Sequence, residues 1–200
     1  GTLKEYEYTG ETDFLNASKN FFKYVTEQQS FATGGNSEWK QFRTANSINA
    51  QITRRSGESC NTYNMLKIAK GLFEYTGDEI YADYCERALY NHILASIKTN
   101  ELGAFTYFLS LEPGYFKTFS RPYDAHWCCV GTGMEYHGTY GGFNNFHTDK
   151  PTYVTLYVAY ELNWKDKAFK MTTEPKFPYS EHSTAQIKEC DVPYRAIYVR

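Results

Sequence analysis

The most regular feature of this chain is an echo in its hydrophobic and polar positions. Two segments, EYTGETDFLNASKNFFKYV from Glu7 to Val25 and EYTGDEIYADYCERALYNHIL from Glu74 to Leu94, open on the same tetrapeptide. In each, Thr-Gly followed by acidic residues stops one element and starts a helix, with glycine at the stop and Asp or Glu in the first turn. Apolar side chains then recur at helical spacing: Phe14, Phe21, Phe22 and Val25 in the first, Tyr81, Leu89, Ile93 and Leu94 in the second. A repeat of about 67 residues holds two or more helices per unit, as in stacked helical hairpins.

A further helix fits Cys60 to Tyr75, with Tyr63, Leu66, Ile68, Ala69 and Phe73 on its buried face, and another fits Gly133 to Gly141. Between them lie loops rich in Gly, Ser, Asn and Thr, notably ATGGNSEWKQF from Ala32 and LEPGYFKTFSRPYD from Leu111. Loops on a rigid helical scaffold are where chemistry concentrates. After Pro151 the period changes to two. PTYVTLYVAYELNW sets Tyr153, Thr155, Tyr157 and Ala159 against Val154, Leu156, Val158 and Tyr160, and KAFKMTTEPKF and DVPYRAIYVR also read as strands. The expected fold is therefore mainly α followed by β, with a boundary near residue 150 and too few strands for a closed β domain.

Composition narrows the function classes. A 42% hydrophobic fraction in 200 residues supports a real core. The 18% aromatic fraction suits both cores and sugar-binding clefts. A net charge of -2, with both signs mixed along the chain, leaves no electrostatic footprint for nucleic acid or an anionic membrane. No apolar run approaches the roughly 20 residues of a membrane span, and GTLKEYEYTG has no signal-peptide core. No P-loop, dinucleotide fingerprint, GxSxG elbow or HExxH motif is present.

The five cysteines, Cys60, Cys85, Cys128, Cys129 and Cys190, form an odd set without the spacing of a disulfide framework. Neighbouring cysteines are too close for an unstrained bridge, but both can turn toward one centre where the backbone bends. In HWCCVGTGMEYHG and GESCNTYNM, Cys128, Cys129, Cys60 and Glu58 supply three thiols and a carboxylate, a set that suits tetrahedral zinc. The competing reading makes these cysteines small buried hydrophobes, the role expected of Cys85. His92, His137, His147 and His182 read as structural or solvated.

Four ordered motifs carry a resemblance: TGGNS at Thr33, GESCNTYNML at Gly57, YADYCERALYN at Tyr81, and HWCCVGTGMEYHG at His126. Together with the strands of YVTLYVAYELNW, they are similar to the β-L-arabinofuranosidase family, glycoside hydrolase families 127 and 146, from about Tyr8 to Tyr194. The resemblance implies an internal portion of a longer chain: residues 1–150 as part of an (α/α)6-barrel catalytic domain, and 151–200 as the start of a β-sandwich. It implies zinc held by Glu58, Cys60, Cys128 and Cys129, with Cys128 as the nucleophile of a retaining hydrolase acting on terminal β-L-arabinofuranosides. A thiolate that attacks an anomeric carbon departs from the usual carboxylate pair.

The expected partner is an arabinofuranose-containing plant glycan, with no nucleic acid or membrane; the oligomeric state is open. Such families occur largely in bacteria that degrade plant glycans, which fits a periplasmic or secreted enzyme, yet a zinc thiolate site also tolerates the cytoplasm, and the location stays open. Tyr107, His126 and Trp127 are candidate substrate contacts, Tyr107 equally readable as a core ring. One position departs from the family. Its acid/base glutamate lies in GGNS-x-x-Glu-x-Phe, and GGNSEWKQF places Lys40 there, with Glu38 two residues early. Three explanations compete: Glu38 takes over through an altered loop, the chain binds sugar without turning it over, or the sequence is imperfect at this point. A plain helical interaction domain without metal is the reading from a third class.

Overall fold

The repeated Thr-Gly tetrapeptide becomes the same helix stop twice. α1 (Thr2–Thr9) ends at Gly10 and α3 (Ser59–Thr76) at Gly77; both glycines are left-handed, φ 73° and 68°, and donate their N–H to the carbonyls of Tyr6 and Phe73. The preceding threonines donate their hydroxyls to the carbonyls of Glu5 and Leu72 and accept the N–H groups of Glu11 and Asp78. The chain then reverses into α2 (Thr12–Gln28) and α4 (Glu79–Ala88), and Asp78 caps α4 by accepting the Ile80 N–H. α4 runs on into one π-turn, Leu89–Ile93, and a 3-10 turn, Leu94–Ser96.

The computed structural model describes residues 1–148, 151–177, 179–191 and 196–200, and the chain divides into two compact units, Gly1–Gly138 and Thr139–Arg200. The first is helical. α3 packs against α1, α2, α4 and α5 (Cys128–Tyr136), and it buries Tyr63, Met65, Leu66, Ala69, Leu72 and Phe73. Opposite them, the Phe22 ring of α2 meets Tyr81 and Tyr84 of α4 edge-on at 4.9 and 5.4 Å. Each such side chain contributes about 1.5–3 kcal/mol on burial, so packing and not helix propensity holds this unit. Phe21 and Leu94 fall off the expected apolar face and stay largely exposed; Phe21 packs edge-on against Phe42 at 6.0 Å.

α5 corrects an expectation. It begins at the cysteine pair and ends at Tyr136, five residues earlier at each end than the helix expected over Gly133 to Gly141. Glycines 131 and 133 obscure the helical signal, yet Gly133 lies where any side chain would strike the Phe105 ring, so close packing selects the helix despite its propensity.

The second unit is β-rich. β1 (Asn145–His147) and β6 (Ile197–Val199) flank β2 (Thr152–Val154), antiparallel and parallel respectively. β3 (Tyr160–Trp164), β4 (Phe169–Pro175) and β5 (Ser183–Cys190) form an antiparallel sheet in that order. Val154 of β2 and Phe169 and Met171 of β4 make the core of this unit. The alternating run expected as one strand is split between two sheets: after Val154 the Thr155 N–H turns to the Asn144 carbonyl and its hydroxyl to that of Phe143. Of the expected strand in DVPYRAIYVR, Ile197–Val199 is seen, and residues 192–195 lie outside the described residues. Among the described residues no helix is long and apolar enough to cross a membrane.

Candidate active site

Three chain segments far apart in sequence are laced side by side to build the site. Gly57 and Glu58 donate their N–H groups to the carbonyls of Ser37 (3.0 Å) and Asn36 (3.3 Å), while Ser59 donates to Tyr107 (3.1 Å) and Leu109 to Gly57 (2.9 Å). Gly57 is required at the crossing: its φ is 68°, and a Cβ there would stand 2.9 Å from the Leu109 carbonyl oxygen. The lacing delivers Glu58 as the extended residue before α3 and Cys60 into that helix's first turn. Trp127, also extended, does the same for Cys128 and Cys129 at the start of α5. The loop that supplies the third segment is strained, with Ser37, Trp39 and Lys40 at φ 70°, 53° and 65°. Left-handed non-glycine residues cost of order 1 kcal/mol each and cluster at functional sites.

The donor atoms of Glu58, Cys60, Cys128 and Cys129 all lie within 4.8 Å of one another. Cys60 Sγ is 3.0 Å from Cys129 Sγ, Cys128 Sγ is 3.9 Å from Cys129 Sγ, and Glu58 Oε1 is 3.8 and 4.0 Å from the sulfurs of Cys128 and Cys129. Zinc–sulfur bonds of about 2.3 Å in tetrahedral array separate sulfurs by roughly 3.8 Å, close to the Cys128–Cys129 separation, whereas the 3.0 Å Cys60–Cys129 edge would have to open. A donor set of three sulfurs and one carboxylate is the soft, mixed kind that zinc takes. Thr132 and Tyr107 hold the shell from outside, their hydroxyls 3.1 Å from Cys60 Sγ and Cys128 Sγ.

The electrostatics already favour a thiolate. The hydrogen bond from Cys129 pulls the Cys60 thiol down to about 6, and the same contact pushes Cys129 up, so one proton serves the pair. Both sulfur-bearing first turns also present helix N-termini, which favour negative charge. Burial raises the Glu58 carboxyl, opposed chiefly by the Lys40 charge. Burial likewise raises the Tyr107 hydroxyl, which keeps its proton and so can donate to Cys128. Of the three sulfur residues Cys129 is buried, Cys60 half-buried and Cys128 exposed.

Residues 1–142 match the family model described as β-L-arabinofuranosidase, GH127 catalytic domain. The chain belongs to this family. No curated protein matches it. Among solved structures it resembles the GH127 β-arabinofuranosidase BT3674, with a TM-score of 0.80 at 20% identity over 93% of this chain and 30% of that one. A protein titled glycoside hydrolase gives 0.81 at 17% identity over 100% and 38%. Ara127N-Se, a GH127 β-L-arabinofuranosidase from Geobacillus stearothermophilus T6, gives 0.75 at 19% over 94% and 32%. The chain thus spans about a third of the length of these proteins, and the likeness at such identities concerns the fold.

In this GH127 chain the remaining candidate residues fall into two groups. Tyr107 and Trp127 stand at the thiols: their rings are 5.8 Å apart, Tyr107 touches Cys128, and Trp127 precedes it. Lys40 stands there too, its ammonium 4.9 Å from the centre of the Tyr107 ring. Glu38 is turned elsewhere. Its carboxylate accepts from Arg43 Nε at 2.9 Å, pairs with the second guanidinium nitrogen at 2.7 Å, and accepts the Thr53 hydroxyl at 3.1 Å. His126 is exposed. Sequence reasoning missed Thr132, one helical turn after Cys128 on α5, and the adjacent pair Arg54 and Arg55, which lines a pocket with Tyr107 and Trp127. The i,i+4 spacing and the double arginine before SGESC were the available signals.

Proposed function

We propose that this chain carries the nucleophilic centre of a zinc-dependent retaining glycoside hydrolase that cleaves terminal β-L-arabinofuranosides, with Cys128 as the nucleophile. The observation that carries this reading is the convergence of Glu58, Cys60, Cys128 and Cys129, with Cys128 the exposed sulfur. In this reading residues 1–150 are part of an (α/α)6-barrel catalytic domain and 151–200 begin a β-sandwich. Zinc held by those four residues would keep the sulfurs as thiolates at neutral pH. The Cys128 sulfur attacks the anomeric carbon, a C–S bond forms, and the C–O bond breaks with its electron pair leaving on the aglycone oxygen. Water then displaces the sulfur, and two inversions retain the configuration.

The proton balance is where this chain differs. The leaving oxygen needs an acid and the attacking water a base. In this reading Lys40 stands where the family motif has its glutamate, and Glu38 commits its oxygens to Arg43 and Thr53. These contacts favour a second reading, an impaired member that binds sugar but turns it over slowly or not at all.

An activated substrate separates the steps, because nitrophenolate leaves without protonation. With 4-nitrophenyl β-L-arabinofuranoside and the longest natural form of the protein, we expect one zinc per chain by native mass spectrometry, weakened by Cys60→Ser. We also expect a burst near one nitrophenolate per chain, a slow steady phase accelerated by azide, and loss of the burst in Cys128→Ala. Lys40→Glu should raise the steady rate at least tenfold, within the 10²–10⁴ range of acid–base catalysis. Zinc bound with neither burst nor turnover would favour the sugar-binding reading; no zinc in the folded protein would sink both.

A further inference from the structure

Beside the thiols lies a pocket of about 280 Å³ whose walls combine aromatic faces with two arginines. Tyr107, Phe108, Phe116 and Trp127 give it apolar faces, and Arg54 and Arg55 give it charge. Two covalent or hydrogen-bonded links tie it to the chemistry: Tyr107 bonds the Cys128 sulfur at 3.1 Å, and Trp127 is the residue before it. A molecule in the pocket therefore lies against the side chains that flank Cys128. A third cation, Lys40, stands over the Tyr107 ring.

Of these cations Arg54 has Glu112 beside it and Lys40 acts on the Glu58 carboxyl, which leaves Arg55 as the guanidinium least balanced by an acid. Arg54 meets Glu112 at 3.3 Å, but its side chain is 84% exposed, where such a pair contributes under about 1 kcal/mol. Arg55 has its guanidinium carbon 3.3 Å from the centre of the Trp39 ring, a cation–π contact that uses none of its N–H groups on an acid. Among the described residues neither Arg55 nor Lys40 forms an ion pair. The Lys40 charge acts on the Glu58 carboxyl, whereas Arg54 and Arg55 line the pocket. The chain as a whole is at -2, so a basic composition does not account for three cations here.

We propose that this pocket binds the carboxylate of an acidic sugar, which makes the substrate class an anionic, uronate-bearing glycan. Guanidinium groups receive a carboxylate through paired, charge-assisted hydrogen bonds, and the aromatic faces take the C–H side of the ring. The pocket's place beside the cut rests on the hydrolase reading above; the binding does not.

The test is calorimetric binding to the zinc-loaded natural protein, with no turnover needed. The probes are two matched pairs, methyl galacturonoside against methyl galactoside and methyl glucuronoside against methyl glucoside, each differing by a carboxylate in place of a hydroxymethyl group. At low salt one acid should bind at least about tenfold more tightly than its neutral partner, the expected size for a charge-assisted contact. The preference should shrink as salt is raised and vanish in an R54Q/R55Q double variant, whose exposed positions leave folding intact. If neither acid is preferred, or the preference survives in the double variant, the proposal is overturned. A protein that cleaves no arabinofuranoside yet prefers the uronate keeps this proposal and loses the other.

Discussion

His92 offers the sharpest quantitative test of the fold that carries the site. It lies in the π-turn after α4, wholly buried, with Nδ1 3.0 Å from the Thr62 hydroxyl, which also donates to the Glu58 carbonyl. Burial drives its pKa down from 6.5 to about 4. The folded protein therefore holds a neutral ring that the unfolded chain would protonate, so its contribution is complete above about pH 6.5 and is lost as pH falls toward 4. A gap of that size corresponds to roughly 3 kcal/mol in full, of which about 2 kcal/mol is lost by pH 5.

The measurement is denaturant unfolding at pH 7.5 and pH 5, followed by far-UV circular dichroism, for the natural protein and His92→Gln. The stability lost on acidification should be smaller in His92→Gln by about 2 kcal/mol, whatever the variant costs at neutral pH. Zinc release in acid acts on both proteins and cancels in the difference, as does His137, whose buried ring is also lowered to about 4. Equal losses in the two proteins would refute the argument that His92 is buried neutral.

Two further substitutions probe how the loops are held. Tyr84 is buried, donates to the Gly34 carbonyl at 2.9 Å and accepts from Asn36 at 3.3 Å; Tyr84→Phe strands both groups and should cost about 1–3 kcal/mol by denaturant unfolding. Gly57→Ala places a methyl 2.9 Å from the Leu109 oxygen in left-handed backbone, and should cost about 1–3 kcal/mol. Because Glu58 is the next residue, that variant should also bind zinc more weakly than its stability loss predicts, as read by competition with a chromophoric chelator.

Much of the helical unit was legible because its signals are local. The Thr-Gly stops, the acidic first turns and the apolar stripe of α3 each need only a few neighbouring residues, and both stops form as the repeat suggested. The quartet of Glu58, Cys60, Cys128 and Cys129 could be named because zinc demands unusual donors, and vicinal cysteines are conspicuous. The helix at the cysteine pair begins earlier than its pattern suggests, since Gly133 is there for packing against Phe105, a contact no local pattern carries. The break after Val154 was missed for the same reason: one alternating pattern serves either of two sheets.

What the sequence alone determined, then, was the order of helix before strand, the repeated helix stop and the chemical types available for a metal. Tertiary structure decided which of them meet. Cys60 and Cys129, 69 residues apart, come to 3.0 Å only because α3 and α5 pack start to start. Glu38 is drawn to Arg43 and Thr53, while Lys40 swings over Tyr107, through left-handed turns in a loop whose geometry long-range hydrogen bonds impose. Periodicity and capping act over one or two turns of chain; distances between donor atoms depend on how separate elements share a core, and that is settled only when the chain has folded.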